Sequence, residues 1–205
     1  MNLAEKKHPH SLDRALGRRK QVLDAAESCF RRSGFHGASM AEISKAAGMS
    51  AGHIYNYFDG KDAIIAAFVQ QNMERVAAHM LDLAQQEDVL QSVVDNAAQH
   101  VHENLNPTTW ILPLEIFSEA ARNPKIAALL HQADIGSRTQ FREILKQARI
   151  KRGLPIDEAI LDGRVETIIA MYQGLHVRAL HNPGLDEAAV VAGFKLALGA
   201  LLFSA

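Results

Sequence analysis

Cysteine is nearly absent from this chain of 205 residues: there is one, Cys29, so no intramolecular disulfide can form. That excludes a disulfide-stapled scaffold and fits a reducing compartment. Proline is scarce too, at six, which leaves room for long helices. No apolar run reaches comfortable membrane-spanning length; the richest, residues 188–203, carries Lys195 in its middle. The opening residues include Glu5, Lys6, Lys7 and Pro9 and hold no apolar signal-peptide core. No membrane is expected as a partner, and the cytoplasm is the default location. Also missing are a phosphate-binding glycine loop, a nucleophile elbow and a His-x-x-x-His or His-Glu-x-x-His pair. No cofactor, no metal and no catalytic residue are therefore expected, and Cys29, on the apolar face of its helix, reads as inert packing.

The net charge is also small, at −1, but it is unevenly spread. Residues 1–61 hold ten Lys and Arg against six Asp and Glu, a balance of +4; the remainder holds twelve against seventeen, or −5. A basic head on an acidic body suits a head that meets a polyanion. Period-two alternation is nowhere sustained, so no strand is expected. Residues 1–16 are polar and lack a period, and read as a flexible tail. In residues 16–32 the apolar positions Val22, Ala26, Cys29 and Phe30 recur at helical spacing, stopped by Ser33-Gly34. Two short helices, 41–48 and 50–58, precede a long one over 61–86. Further helices are expected over 89–104, 107–122, 124–152, 156–181 and 186–203, separated by Pro and Gly stops. The count is nine helices.

Residues 39–61 are the most informative. Ser39-Met40-Ala41-Glu42 is a capping box, in which Ser39 caps the helix start and Glu42 reaches back to it. The turn at Gly48-Met49-Ser50 needs the left-handed freedom of glycine. Ile43, Ala46, Ala47, Met49, Ile54 and Phe58 are spaced to fill the wedge between the two helices. Ser50, His53, Asn56 and Tyr57 are left on an exposed polar face, able to touch base edges or phosphates. By these criteria the segment is a helix-turn-helix.

The run Met40-Ala41-Glu42-Ile43-Ser44-Lys45-Ala46-Ala47-Gly48-Met49-Ser50-Ala51-Gly52-His53-Ile54-Tyr55-Asn56-Tyr57-Phe58-Asp59-Gly60-Lys61-Asp62 resembles the DNA-binding signature of the TetR family of bacterial repressors. Upstream, Ala25-Ala26 through Phe30 and Gly34-Phe35-His36-Gly37-Ala38-Ser39 look like that family's first helix and its approach to the turn. The specific match covers about residues 18–66. The resemblance implies an all-α fold: an N-terminal three-helix helix-turn-helix domain over 17–62, then a helical ligand-sensing and dimerisation domain over 63–205. It implies double-stranded operator DNA, a small-molecule effector and a second copy of the chain as partners. The recognition helix would span 51–58, with Ser50, Ala51 and Gly52 at its DNA-facing start and His53 and Asn56 toward the bases. Tyr55 and Tyr57 would meet phosphates or flanking bases, Lys61 would grip a phosphate through its ammonium and its backbone N–H, and Ser39 and Ala41 would lie near the other strand. Two departures, Ala51 in place of a frequent lysine and His53 in place of a small hydroxyl residue, bear on which operator is read. Lys6, Lys7, Arg14, Arg18, Arg19 and Lys20 form a candidate basic arm, set against a plain solvated tail.

In the body, the last helix is apolar nearly all round, so it must be covered on two sides. Its own domain supplies one cover and a twin the other, giving a four-helix seam with residues 156–181 and placing Phe194 and Leu198 in it. A ligand site is expected among Trp110, Leu114, Phe117, Phe141, Tyr172, His176 and His100, aromatics mixed with a few polar groups. Core packing is the rival explanation for each of them. Glu115 and Glu119, one turn apart, suit either a cationic ligand or a solvated face. The long helix over 61–86 is the element able to carry movement from such a site to the DNA head. The leading expectation is a ligand-released repressor. The alternative is a helical small-molecule enzyme or carrier with an incidental helix-turn-helix, which would need a cofactor motif or catalytic group that the sequence lacks.

Overall fold

The structure, a computed structural model, describes the backbone of residues 9–204 and the side chains of residues 13–204. Among the described residues it is all helix, with no strand. The ten helices are α1 (Pro9–Gly37), α2 (Met40–Ala46), α3 (Ala51–Ile54), α4 (Lys61–Ala84), α5 (Val89–Asp95), α6 (Ala97–Leu105), α7 (Pro107–Ala120), α8 (Pro124–Lys151), α9 (Glu158–His181) and α10 (Glu187–Phe203). The tenth arises because Asn96, at φ −79° and ψ 0°, interrupts the helix expected over 89–104 and serves as the end of α5 and the start of α6. None of the described helices is long and apolar enough to cross a membrane.

α1 starts at Pro9, so residues 9–16, expected as tail, are helical. The physical reason is local: proline suits the first helical turn, and Leu12, Arg14, Ala15 and Leu16 are strong helix formers. Burial plays no part at residues 13–16, all of them exposed, Leu16 at 65%. Residues 1–8, with Lys6 and Lys7 of the candidate arm, lie outside the described residues.

The chain divides into two compact units. The first comprises the described residues up to Val69 together with Leu114–Ala127. Its core is the apolar face of α1 (Val22, Ala26, Cys29, Phe30) closed by Ile43, Ile54, Phe58, Ile64 and Ile65, all nearly inaccessible to solvent. Phe30 stacks at a tilt on Phe35 and edge-on against Phe68, with ring centroids 5.5 and 6.3 Å away. Of the expected wedge residues, Ala46 is exposed and Met49 half-buried; the others are buried. The segment Leu114–Ala127, expected with the sensor helices, groups with this head, to which Ile116 and Ile126 bring further buried side chains.

The second unit contains Gln70–Pro113 and Ala128–Ala205. α10 packs on α5, α6 and α9, and α6 packs on α9. One continuous core joins Leu83, Leu90, Val93, Ala97, Phe141, Leu145, Leu161, Val165, Ile168, Leu198 and Leu202. The C-terminal carbonyls of α10 are closed by buried guanidiniums rather than by glycine. Arg149 donates to Leu202 O at 2.7 Å and Ser204 O at 3.0 Å, and Arg164 also reaches Ser204 O at 3.0 Å.

Candidate functional site

In the first unit the two short helices are each capped at their N-terminus by a serine side chain. Ser39 Oγ accepts from Glu42 N at 3.1 Å, and Glu42 Oε2 accepts from Ser39 N at 2.8 Å, completing the capping box. The Ser39 backbone N–H, followed by its hydroxyl, holds the Glu42 carboxyl below its ordinary value. α2 ends in a paired glycine cap: Met49 N donates to Ser44 O at 2.9 Å and Gly48 N to Lys45 O at 3.1 Å, with Gly48 at φ 62°. Gln21 of α1 adds a hydrogen bond of 2.6 Å to Ala47 O, so the turn is fixed from outside as well. Ser50 then caps α3, its Oγ accepting from His53 N at 3.2 Å.

α3 is shorter than the helix expected over 50–58. After Ile54 the backbone tightens, with Asn56 N bonded to His53 O at 3.2 Å and Tyr57 N to Ile54 O at 3.0 Å. The result is a compact knob pinned by buried Ile54 and Phe58. Ser50, Ala51, Gly52, His53, Tyr55 and Asn56 are exposed on it, and Tyr57 is half-buried. Ser39 and Ala41 are exposed at the start of α2. His53 is braced: the Tyr57 ring stands edge-on at 5.3 Å, and Asn56 Nδ2 lies 3.5 Å from His53 Nδ1. Tyr55 is 51% exposed and carries no packing duty of the kind Phe58 does.

Two of the cations singled out from sequence are engaged inside the head. Lys61 Nζ donates to Phe35 O at 2.6 Å and Ala38 O at 2.8 Å and sits 4.5 Å over the Phe35 ring. Arg19 donates to Tyr57 O at 3.1 Å and stacks 4.3 Å over Phe58. Lys20 pairs with Asp24 at 2.7 Å, and Arg18 donates to Gln21 at 2.9 Å.

Glu115 and Glu119 also act within this unit. Glu115 Oε2 accepts from Phe35 N at 2.9 Å, next to Gly34, whose φ of 69° suits glycine and whose Cβ, if added, would meet that oxygen at 3.3 Å. Glu119 is buried and accepts from Arg122 at 3.2 Å and Asn123 at 3.1 Å, with His36 Nε2 at 2.9 Å. Desolvation pushes its carboxyl up, but the hydrogen bonds from Asn123 and Arg122, aided by the nearby positive charge, win and hold it below its ordinary value. These contacts answer the choice between a cationic-ligand site and a solvated face: the two carboxylates fasten the end of α1.

The second unit holds a half-open cavity of about 300 Å³. Its apolar walls come from Met80, Leu83, Val93, Phe141, Ile168 and Ile169, and its polar groups include His79, Asn96, His100, Asn104 and Tyr172. Of the residues expected at a ligand site, it brings together His100, Phe141 and Tyr172. His176 stands behind the lining, its Nε2 bonded to Asn104 Oδ1 at 2.8 Å. Trp110 is outside the lining; it is buried with its indole N–H donated to Leu105 O at 3.3 Å. Leu114 and Phe117 belong to the first unit, and Phe117 is exposed. What the sequence reading missed is the α4 wall: Val76, Met80 and Leu83 repeat at helical spacing, a signal present in the chain but indistinguishable there from core.

The model described as bacterial regulatory proteins of the tetR family matches residues 22–68, and that of the BetI-type transcriptional repressor C-terminal region matches residues 86–202. The HTH-type transcriptional regulator UidR of Escherichia coli K12 is 34% identical over 112 residues, covering 55% of this chain and 56% of that protein. The chain thus matches about half the length of these first relatives. Salmonella enterica GusR has the same fold, with a TM-score of 0.77 at 24% identity over 99% of this chain and 100% of that one. FadR of Bacillus subtilis, solved in complex with stearoyl-CoA, aligns with a TM-score of 0.72 at 18% identity over 90% and 97%.

Proposed function

This chain belongs to the TetR family of bacterial transcriptional regulators, and on that premise we propose that it is a repressor released from DNA by a small ligand. The observation that carries the reading is the doubly capped helix-turn-helix, rigidly held and presenting an exposed polar face at residues 50–57. Each chain has one such head, so a dimer is suited to a near-palindromic operator, one head per half-site. His53 and Asn56 read base edges, while Tyr55 and the backbone N–H groups at the start of α4 hold phosphates. The dimer forms through α9 and α10. Gly163, Thr167, Ala170, Gly174 and Val177 line an exposed stripe on α9, and Ala189, Gly193 and Leu196 another on α10. The cavity of the second unit is the effector site, and its lining supports a mainly apolar ligand. α4 runs unbroken from Lys61 to the cavity residues Val76, Met80 and Leu83, so a ligand that moves this wall acts on the helix that starts beside the recognition knob.

A gel shift with DNA flanking the protein's own gene tests the reading. Retarded complexes that survive nonspecific competitor and are lost in a His53→Ala, Asn56→Ala double variant are expected. Equal affinity for flanking and scrambled DNA would overturn it.

A further inference from the structure

Resting on the reading of the cavity as a ligand site, we propose that it takes an uncharged molecule of one or two rings whose single hydroxyl or carbonyl is met by Tyr172.

The size comes first. About 300 Å³ lies at the lower end of the range of roughly 300–1,000 Å³ for small-molecule sites. Charge comes second. No Lys, Arg, Asp or Glu is among the described residues that line the cavity, so a charged ligand would lose its water with no counter-ion in return. Two charged residues, Arg75 and Glu103, line the adjoining polar recess rather than the cavity itself. Arg75 donates to Asn72 at 2.8 Å, and Glu103 accepts from Gln99 at 2.9 Å while facing His100. Two imidazoles are shifted toward their neutral form: burial, with the neighbouring His79, holds His100 below its ordinary value against the pull of Glu103, and burial does the same to His176 behind the lining.

Hydrogen bonding comes third. The Tyr172 hydroxyl is buried yet has no hydrogen-bond partner among the described residues, whereas buried hydroxyls are ordinarily paired. Burial pushes its pKa to about 12, so it stays a donor across the physiological range. Ring edges come fourth. Along the lining His79, His100 and Tyr172 follow one another edge-on with centroids 4.9 and 5.9 Å apart, and Phe141 lines the same cavity. A wall of aromatic edges favours a ring over an alkyl chain.

Isothermal calorimetry on the full-length protein at pH 7.5 tests this with four probes of one shape: 4-propylphenol, propylbenzene, 4-propylbenzoate and 4-propylbenzylamine. The phenol should bind at least about fivefold tighter than the hydrocarbon and about tenfold tighter than either ion. In Tyr172→Phe the phenol and the hydrocarbon should bind within about twofold of each other, with the melting temperature of the protein preserved. Tighter binding of the benzoate or the amine overturns the proposal. So does equal binding of phenol and hydrocarbon by the wild type, a preference that survives in Tyr172→Phe, or no binding of any probe up to its solubility. Operator affinity is read separately by gel shift. A phenol that binds through Tyr172 and leaves DNA binding unchanged would uphold the ligand class and refute the effector reading.

Discussion

A lysine ammonium bonded to two backbone carbonyls is a cap before it is a phosphate ligand. Lys61 closes Phe35 O and Ala38 O, which lie around the end of α1 and the loop before α2. Lys61→Ala should therefore cost about 1–3 kcal/mol of stability, the range for hydrogen bonds to a charged donor whose acceptors are left partly buried. Operator affinity should fall as well, but the slope of log affinity against log salt should stay close to wild type, because the ammonium is already committed. Thermal melts and a salt titration separate the roles: a wild-type melt with a slope shallower by about one would mean a free phosphate contact instead. His53→Ala belongs to the opposite class. The side chain is exposed, so stability should hardly change, whereas discrimination at one base pair should drop by about 1–3 kcal/mol, read from affinities for a panel of single-substitution operators. Uniform loss across the panel would assign His53 to the backbone.

At the scale of elements, residues 16–32 of α1, α2 and the turn after it were legible because their signals are local: a capping box, a glycine at positive φ, apolar residues at helical spacing. Residues 9–16, expected as tail, carry no apolar period and were missed. Arg149 and Glu115 were not, because their partners lie far along the chain, Arg149 fifty-three residues from Leu202 and Glu115 eighty from Phe35. Glu119 bonds its neighbours Arg122 and Asn123, but its approach to His36 is likewise long-range. Sequence spacing says that two carboxylates share a helix face but not which backbone N–H waits opposite. The same holds for the cavity: His100, Phe141 and Tyr172 were recognisable as aromatic and polar, but spacing does not tell that Phe117 joins the other unit, nor that Trp110, within the same unit, packs outside the lining with its indole N–H on Leu105 O. Glu119 makes the element testable. Its carboxyl sits below the ordinary value of 4.5 in the folded head, so its ionised form contributes stability that is complete above that value and lost as pH falls through the lower folded one. Glu119→Gln should lower the melting temperature at pH 6.5 and narrow the gap to wild type as the pH drops toward 3.5. Other depressed carboxylates, among them Glu42 and Glu158, titrate in the same window, so the difference between the two proteins carries the information. A gap that stays constant with pH would remove Glu119 from the acid response.

For the whole molecule the decisive question is association, and α10 offers a way to separate it from folding. The sequence marks this helix as apolar nearly all round, which demands two covers but does not say which side chain belongs to which. The structure sorts them. Leu198 and Leu202 lie at 0% and 1% exposure in the core of their own unit, and Phe194 leans on Tyr172 at 5.1 Å. Leu196, by contrast, is 78% exposed, and hypothetical Cβ atoms at Gly193 and Gly199 meet nothing within 4 Å. Leu198→Asp, which the sequence pattern points to as a seam variant, should therefore act on the fold: a charge in a dry core costs several kcal/mol, and the product should melt early or aggregate. Leu196→Asp should leave the monomer intact, since its side chain stays in water there, and act only where a second copy would bury it. The expected pattern is a wild-type dimer by sedimentation at micromolar concentration and a helical monomer for Leu196→Asp. Operator binding by that variant should weaken by far more than any single base contact explains, because two half-sites are then read by two independent heads. The melting temperature of the variant should also stop rising with protein concentration, as mass action requires once folding is uncoupled from association. A wild-type protein that sediments as a monomer, or a Leu196→Asp protein that remains dimeric and binds operator normally, would place the twofold seam elsewhere or remove it.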